Sequence, residues 1–192
     1  MTISFIGIVD GSDEVVSKAI KYANILEMLG IKLRLTATTN FDIGIGRNTK
    51  SSRIFLHDKD AGGYVMDVNV PIVERRIIFP PTPLAVGVSK KYSTDYNEQA
   101  VLAATAHALA GYSLKTPSDL IVVYYPHGSK PKDPRLWMLK KFHDSKGVPI
   151  INFVADDFFD RLMEHVTKAG YGSIVTMDGW ETERMARRYV HS

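Results

Sequence analysis

The side chains with the most chemical potential fall in three loops, each of which follows an apolar run: Asp10-Gly11-Ser12-Asp13, the stretch Thr36 to Asn40 (TATTN), and Pro126 to Asp133 (PHGSKPKD). In the third loop Gly128 permits close backbone approach and Ser129 offers a hydroxyl. Lys130 and Lys132 bring positive charge to the start of a helix, where unpaired N–H groups already favour an anion. Such a set suits a phosphate, although Pro, Gly, Ser and Lys also make an ordinary well-capped turn. The candidate ligand-binding residues are therefore Asp10, Gly11, Ser12, Thr38, Thr39, Asn40, Gly128, Ser129, Lys130, Lys132 and Asp133.

Two residues stand out as candidates for catalysis. Glu98 could act as base or nucleophile, or simply offset a helix dipole in a first turn, and His127 sits inside the third loop. His107, alone in an Ala-rich helix, reads as a satisfied side chain. Gly7 and Gly11 do not make a G-x-G-x-x-G set and no G-x-x-x-x-G-K-[ST] run occurs, so neither a dinucleotide fingerprint nor a P-loop is supported. No H-x-x-x-H or H-E-x-x-H pattern occurs, and Asp156-Asp157 suits a helix cap better than a metal site, so no metal and no cofactor are expected. With no cysteine, thiolate chemistry and disulfides are excluded.

Elements must place these loops. Ile3 to Val9 is a continuous apolar run, the pattern of a strand covered on both faces. From Asp13 the apolar positions recur at helical spacing, with Ser12 or Asp13 as N-cap and Gly30 as the stop, and Ile31 to Thr38 reads as a second strand. This strand, helix and strand predict a right-handed parallel crossover. Thr39 to Lys50 is rich in Gly, Asn and Thr and is expected to be mostly loop, with room for a short helix. Arg53 to His57, Tyr64 to Val70 and Arg75 to Phe79 read as short strands of a hairpin decoration over about residues 50–80, closed by Pro80, Pro81 and Pro83.

Asp95 to Ala110 predicts a helix stopped by Gly111. Asp119 to Tyr125 is the most strand-like segment and is placed at the sheet centre. Asp133 caps a helix with Pro134 at its first position and Gly147 at its end. Pro149 to Val154 predicts another buried strand, followed by a helix to Lys168. Beyond it, an extension over about 170–192 carries Arg184, Arg187 and Arg188 on one helical side. The fold class is α/β, with a mostly parallel sheet, helices on both faces and one domain. In such sheets ligands bind outside the carboxyl ends of the strands.

The 192 residues carry 24 Lys plus Arg against 21 Asp plus Glu, a formal charge of +3 that does not demand nucleic acid as a partner. Lys130, Lys132, Arg184, Arg187 and Arg188 are the residues through which nucleic acid could be touched. No signal peptide and no membrane span are expected, so the chain reads as soluble and cytoplasmic. A small anionic ligand is the expected partner, and an exposed hairpin would make a homo-oligomer.

Asn97 to Phe153 resembles the SLOG superfamily, the Rossmann-like group that includes the Lonely Guy phosphoribohydrolases, DNA-processing protein A and small phage-encoded members. The resemblance is carried by ALAGYSL, KTPSDLIVVYYPHG and GVPIINF, of which the TPSD block is the most specific. It implies a Rossmann-like three-layer fold and a nucleotide as ligand, in a phage or mobile-element accessory factor acting in the host cytoplasm. It also implies two alternatives, a nucleotide N-glycosidase and a DNA-binding protein. Where many members carry a Gly-Gly-Thr loop this chain has HGSKPKDPRLW, and the Lonely Guy catalytic Glu has no identifiable counterpart.

Overall fold

The structure is a computed structural model that describes residues 1–55, 77–79 and 82–171. Six strands form one sheet in the order β4-β3-β2-β1-β5-β6, and every neighbouring pair is parallel. They are β1 (Thr2–Gly7), β2 (Lys32–Thr36), β3 (Arg53–Phe55), β4 (Ile77–Phe79), β5 (Leu120–Tyr124) and β6 (Ile150–Asn152). The chain builds outward from β1 to β4 and then crosses back to place β5 on the other flank of β1. The topological switch point lies between β1 and β5, where an open α/β sheet leaves a crevice at its carboxyl edge.

Alternate residues of the central strands feed two cores. Ile3, Phe5, Leu33, Leu35, Leu120 and Val122 pack with helices α1 (Asp13–Met28), α2 (Asn40–Asn48) and α6 (Phe158–Val166). Ile6, Ile121 and Val123 pack with α4 (Tyr96–Ala110), α5 (Pro134–Lys146) and, more loosely, α3 (Pro83–Ser89). Helices on both faces of one parallel sheet give the Rossmann-like three-layer α/β architecture, and they explain why the strands read as apolar throughout.

Two expectations are corrected. Thr39 to Lys50 is helical for most of its length, because Asp42 at the third helical position reaches back to the Thr39 amide at 2.8 Å and organises the first turn despite two glycines in the helix. The ends of the expected hairpin, Arg53–Phe55 and Ile77–Phe79, pair in parallel as strands of the main sheet, so they cannot be the two arms of one hairpin. Tyr64 to Val70 and all of the C-terminal extension beyond residue 171 lie outside the described residues. The run of prolines ends in α3, with Pro83 in its first turn and the Thr82 hydroxyl accepting the Ala85 amide at 3.3 Å.

The TPSD block closes the edge of the sheet opposite the crevice. Buried Arg34 of β2 donates to the Thr116 carbonyl, to Thr116 Oγ1 at 3.0 Å and to Ser118 Oγ at 3.2 Å. Ser118 Oγ also bonds Ser4 Oγ at 2.6 Å, and the Asp119 carboxylate accepts the Thr2 amide at 2.7 Å. Gly111 ends α4 at φ +82°, and a Cβ there would lie 2.4 Å from Thr116 Oγ1, so this crossing needs glycine twice over. The most specific block of the sequence is therefore architecture that ties α4, β1, β2 and β5 together.

His107 of α4 is wholly buried, stacked between Phe55 and Tyr112 at centroid distances of 5.4 and 5.6 Å. Its Nδ1 faces the Gly111 carbonyl at 3.1 Å and so must donate, which leaves Nε2 to accept from the Thr82 amide at 3.2 Å. Burial holds its pKa below the ordinary histidine value, against an upward pull from the Gly111 hydrogen bond. A histidine kept neutral in the folded state contributes stability that is present above the unfolded pKa and lost as pH falls through it. Urea midpoints should therefore fall between pH 7.5 and 5.5 by more in the wild type than in His107→Gln, with a limiting slope of about 1.4 kcal/mol per pH unit for this one group. Equal pH slopes in the two proteins would refute the assignment.

Candidate functional site

The three loops meet at the carboxyl edge of the sheet, and one side chain joins them. Arg135, in the first turn of α5, has little exposure and spends all five of its N–H donors within the protein. Nη1 donates to the Gly7 carbonyl at 3.0 Å and to Thr38 Oγ1 at 3.1 Å. Nη2 donates to the Ile8 carbonyl and to Asp133 Oδ2, both at 2.8 Å, and Nε donates to Asp133 Oδ1 at 3.0 Å. Burial works to raise the Asp133 carboxyl, and its hydrogen bonds and ion pair with Arg135 carry it below the ordinary carboxylate value instead. Asp133 Oδ1 also accepts the Arg135 amide at 2.9 Å, so the start of α5 is already capped by an anion of its own chain.

The expected ligand residues of the first two loops are brought together and then spent on one another. Asn40 clasps Gly11, accepting its amide at 2.7 Å and donating to its carbonyl at 2.8 Å, while the Asn40 amide donates to Asp10 at 2.9 Å. The Ser12 hydroxyl caps α1 by accepting the Val15 amide at 3.2 Å. Thr36, Thr38 and Thr39 all donate their hydroxyls to Asp42. Asp42 is fully buried, and that burial, outweighing the bonds from Thr36, Thr39 and Thr38, pushes its pKa above the ordinary aspartate value. At Gly7 the chains come so close that a Cβ would stand 2.2 Å from Thr39 Oγ1.

The expected single pocket is thus divided. Lys132 lines a cavity of about 300 Å³ between the N-terminal turns of α4 and α5, together with Asn97, Glu98, Val101, Leu102, Asp133, Pro134 and Arg135. Lys130 lines a different cavity of about 360 Å³, between α5 and the β5–β6 edge, with Tyr125, Lys140, His143 and Arg161 around an apolar floor. The two lysines of the Lys-Pro-Lys sequence line separate cavities. Gly128, at φ +77°, and Ser129 form the exposed turn above them, and the Ser129 amide donates to the Pro126 carbonyl at 3.2 Å. Exposed His127 lines neither cavity. Glu98 is exposed in the first turn of α4, accepts from Ser93 Oγ at 3.1 Å, and its amide is capped by Asp95 at 2.9 Å.

The two cavities differ in charge. Glu98 and the Asp133–Arg135 pair offset Lys132 in the first. The second holds Lys130, Lys140, His143 and Arg161 with no carboxylate among its described lining residues. Among the described residues no carboxylate lies within ion-pair distance of Lys130, Lys140 or Arg161. Arg161 makes one long bond, to the Ile150 carbonyl at 3.4 Å, and His143 Nδ1 donates to the Val148 carbonyl at 2.7 Å, leaving Nε2 uncommitted. Sequence reasoning passed over Arg135, Asp42, Lys140, His143 and Arg161. The available signal was a Lys and a His continuing the apolar stripe Leu136 and Leu139 of α5, on one face by the three-and-four rule.

Among the described residues no group of three or more His, Asp or Glu side chains is placed to hold a metal ion, and no helix is long and apolar enough to cross a membrane. Arg184, Arg187 and Arg188, named above for nucleic acid, lie outside the described residues.

Fold and site together define a Rossmann-like α/β protein whose crevice is braced by its own arginine and whose basic side chains gather, among the described residues, in a neighbouring cavity. No protein-family model, no curated protein and no solved structure matches the chain.

Replacing Arg135 with Met should cost roughly 3 kcal/mol, because it takes the guanidinium donors from the Gly7 and Ile8 carbonyls and removes the counter-ion of the Asp133 carboxylate. Chemical denaturation measures this, and a loss under 1 kcal/mol would show that the tie is dispensable.

Proposed function

We propose that this protein binds a nucleotide or another small phosphorylated ligand, and that the ligand sits in the cavity between α5 and the β5–β6 edge. The observation that carries this reading is the convergence of Lys130, Lys140, His143 and Arg161, from a loop and two helices, on one cavity of about 360 Å³ without a carboxylate among its described lining residues. Like charges gathered with no carboxylate in the described lining raise the local potential and favour an anion. The volume lies within the roughly 300–1,000 Å³ of small-molecule sites. Arginine and lysine together supply both a planar fork and a point charge for phosphate oxygens. The resemblance of Asn97 to Phe153 to the SLOG superfamily supports a nucleotide among the candidates, although the cavity differs from the crevice that the resemblance points to.

Thermal denaturation with a panel of nucleoside monophosphates tests the reading, since a ligand at a hundred times its Kd adds about 2.7 kcal/mol of stability. The double variant Lys140→Gln with Arg161→Gln should weaken binding by roughly ten- to a hundredfold, as expected for losing charge-assisted hydrogen bonds. Because both side chains are at least partly exposed, the fold should survive. No stabilisation by any phosphorylated compound would remove the proposal.

Glu98 beside Lys132 and Asn97 in the other cavity supports a second reading, cleavage of an N-glycosidic bond in a nucleotide with Glu98 as the carboxylate. Incubation with nucleoside monophosphates and chromatography of the products should then yield free base from the wild type and none from Glu98→Gln. Intact nucleotide after prolonged incubation would dismiss this reading and leave the binding one untouched.

A further inference from the structure

The cavity beside α5 carries a second property besides its charge. Below the basic rim its wall is apolar: Val123 of β5, Leu136 and Leu139 of α5, and Pro149 and Ile150 at the start of β6. Val123 and Leu139 are almost fully buried, at 3% and 2% exposure, yet both line the cavity, so the space narrows onto the core of that face. A bare phosphate held at the rim would leave this apolar wall wetted. A wholly apolar ligand would leave the three cations Lys130, Lys140 and Arg161 without an anion from it.

We propose that the ligand is a phosphate monoester that carries a flat aromatic ring, with the phosphate at Lys130, Lys140 and Arg161 and the aromatic face against Val123, Leu136, Leu139 and Ile150. The inference rests on the phosphorylated-ligand reading above and deepens it. The wall side chains offer neither donor nor acceptor, so they grip the face of a ring and cannot read its hydrogen-bonding edge. A nucleobase therefore binds here with its edge turned to the open mouth, where Tyr125 stands half-buried. Bases of different edge chemistry should bind about equally well. Burial of the ring, at about 25 cal/mol per Å² of apolar surface, should give the ester its advantage over a sugar phosphate and a negative heat-capacity change on binding.

Calorimetric titration of the full chain with inorganic phosphate, ribose 5-phosphate, phenyl phosphate, and adenosine and uridine monophosphates separates the possibilities. The expected result is that phenyl phosphate and both nucleotides bind at least tenfold more tightly than ribose 5-phosphate, with the two nucleotides within about threefold of each other. Leu136→Ser, at a half-buried position, should shrink that advantage to less than threefold. Lys140→Gln with Arg161→Gln should weaken all the phosphates together. Equal binding of ribose 5-phosphate and the aromatic esters would overturn this inference and leave the anion cavity standing. A large preference for one nucleotide over the other would overturn it by showing edge recognition. Failure of every phosphate to bind would overturn the functional reading beneath it as well.

Discussion

The carboxyl edge of this molecule depends on one guanidinium. The Gly7 and Ile8 carbonyls stand at the carboxyl end of β1, and buried carbonyls left without donors are costly. Arg135 meets them at Gly7 and Ile8, takes the Thr38 hydroxyl on the way, and returns its remaining donors to Asp133 two residues before it. One side chain thereby holds the end of β1, the turn after β2 and the start of α5 in register. The arrangement is self-consistent electrostatically, because the cation that enters the low-dielectric crevice brings its counter-ion on the same loop.

That solution determines where chemistry remains available. In an open α/β sheet the crevice at the switch point normally offers helix N-termini to a ligand. Here Ser12, Asp95 and Asp133 cap α1, α4 and α5, while Asp42 organises the start of α2 and collects three threonine hydroxyls. A crevice so thoroughly satisfied by its own chain has little left for an outside phosphate. The cluster of basic side chains lies one layer away, on the outer flank of α5, where the helix stripe changes from leucine to lysine and histidine and Arg161 approaches from the opposite helix layer.

Much of the fold was legible because its signals are local. Ser12, Asp133 with Pro134, Gly30, Gly111 and Gly147 punctuate helices by mechanisms that operate within a few residues, and the apolar runs of β1 and β5 announce burial on both faces. The reading faltered where the deciding partner is distant in the chain. Strands β3 and β4 are three residues long and owe their parallel pairing to neighbours rather than to any pattern of their own. Residue type and position mark the loop residues as candidate ligand contacts, yet Lys130 and Lys132 line separate cavities while Asp10, Thr38, Asn40 and Asp133 bond within the chain. What type and position could not reveal is that Asn40 would turn to Gly11 and Arg135 to Gly7, over separations of 29 and 128 residues. A polar group's first available partner is often the protein itself, and only the assembled edge shows which groups have been used.

Among the described residues the sheet ends on β4 at one side and β6 at the other, and each contributes three residues to its ladder. A rail so short gives an incoming strand too few amide and carbonyl pairs to dock along it, and on β6 the Arg161 guanidinium already rests against the Ile150 carbonyl. Extension of the sheet by an added strand is thereby discouraged at these two described borders.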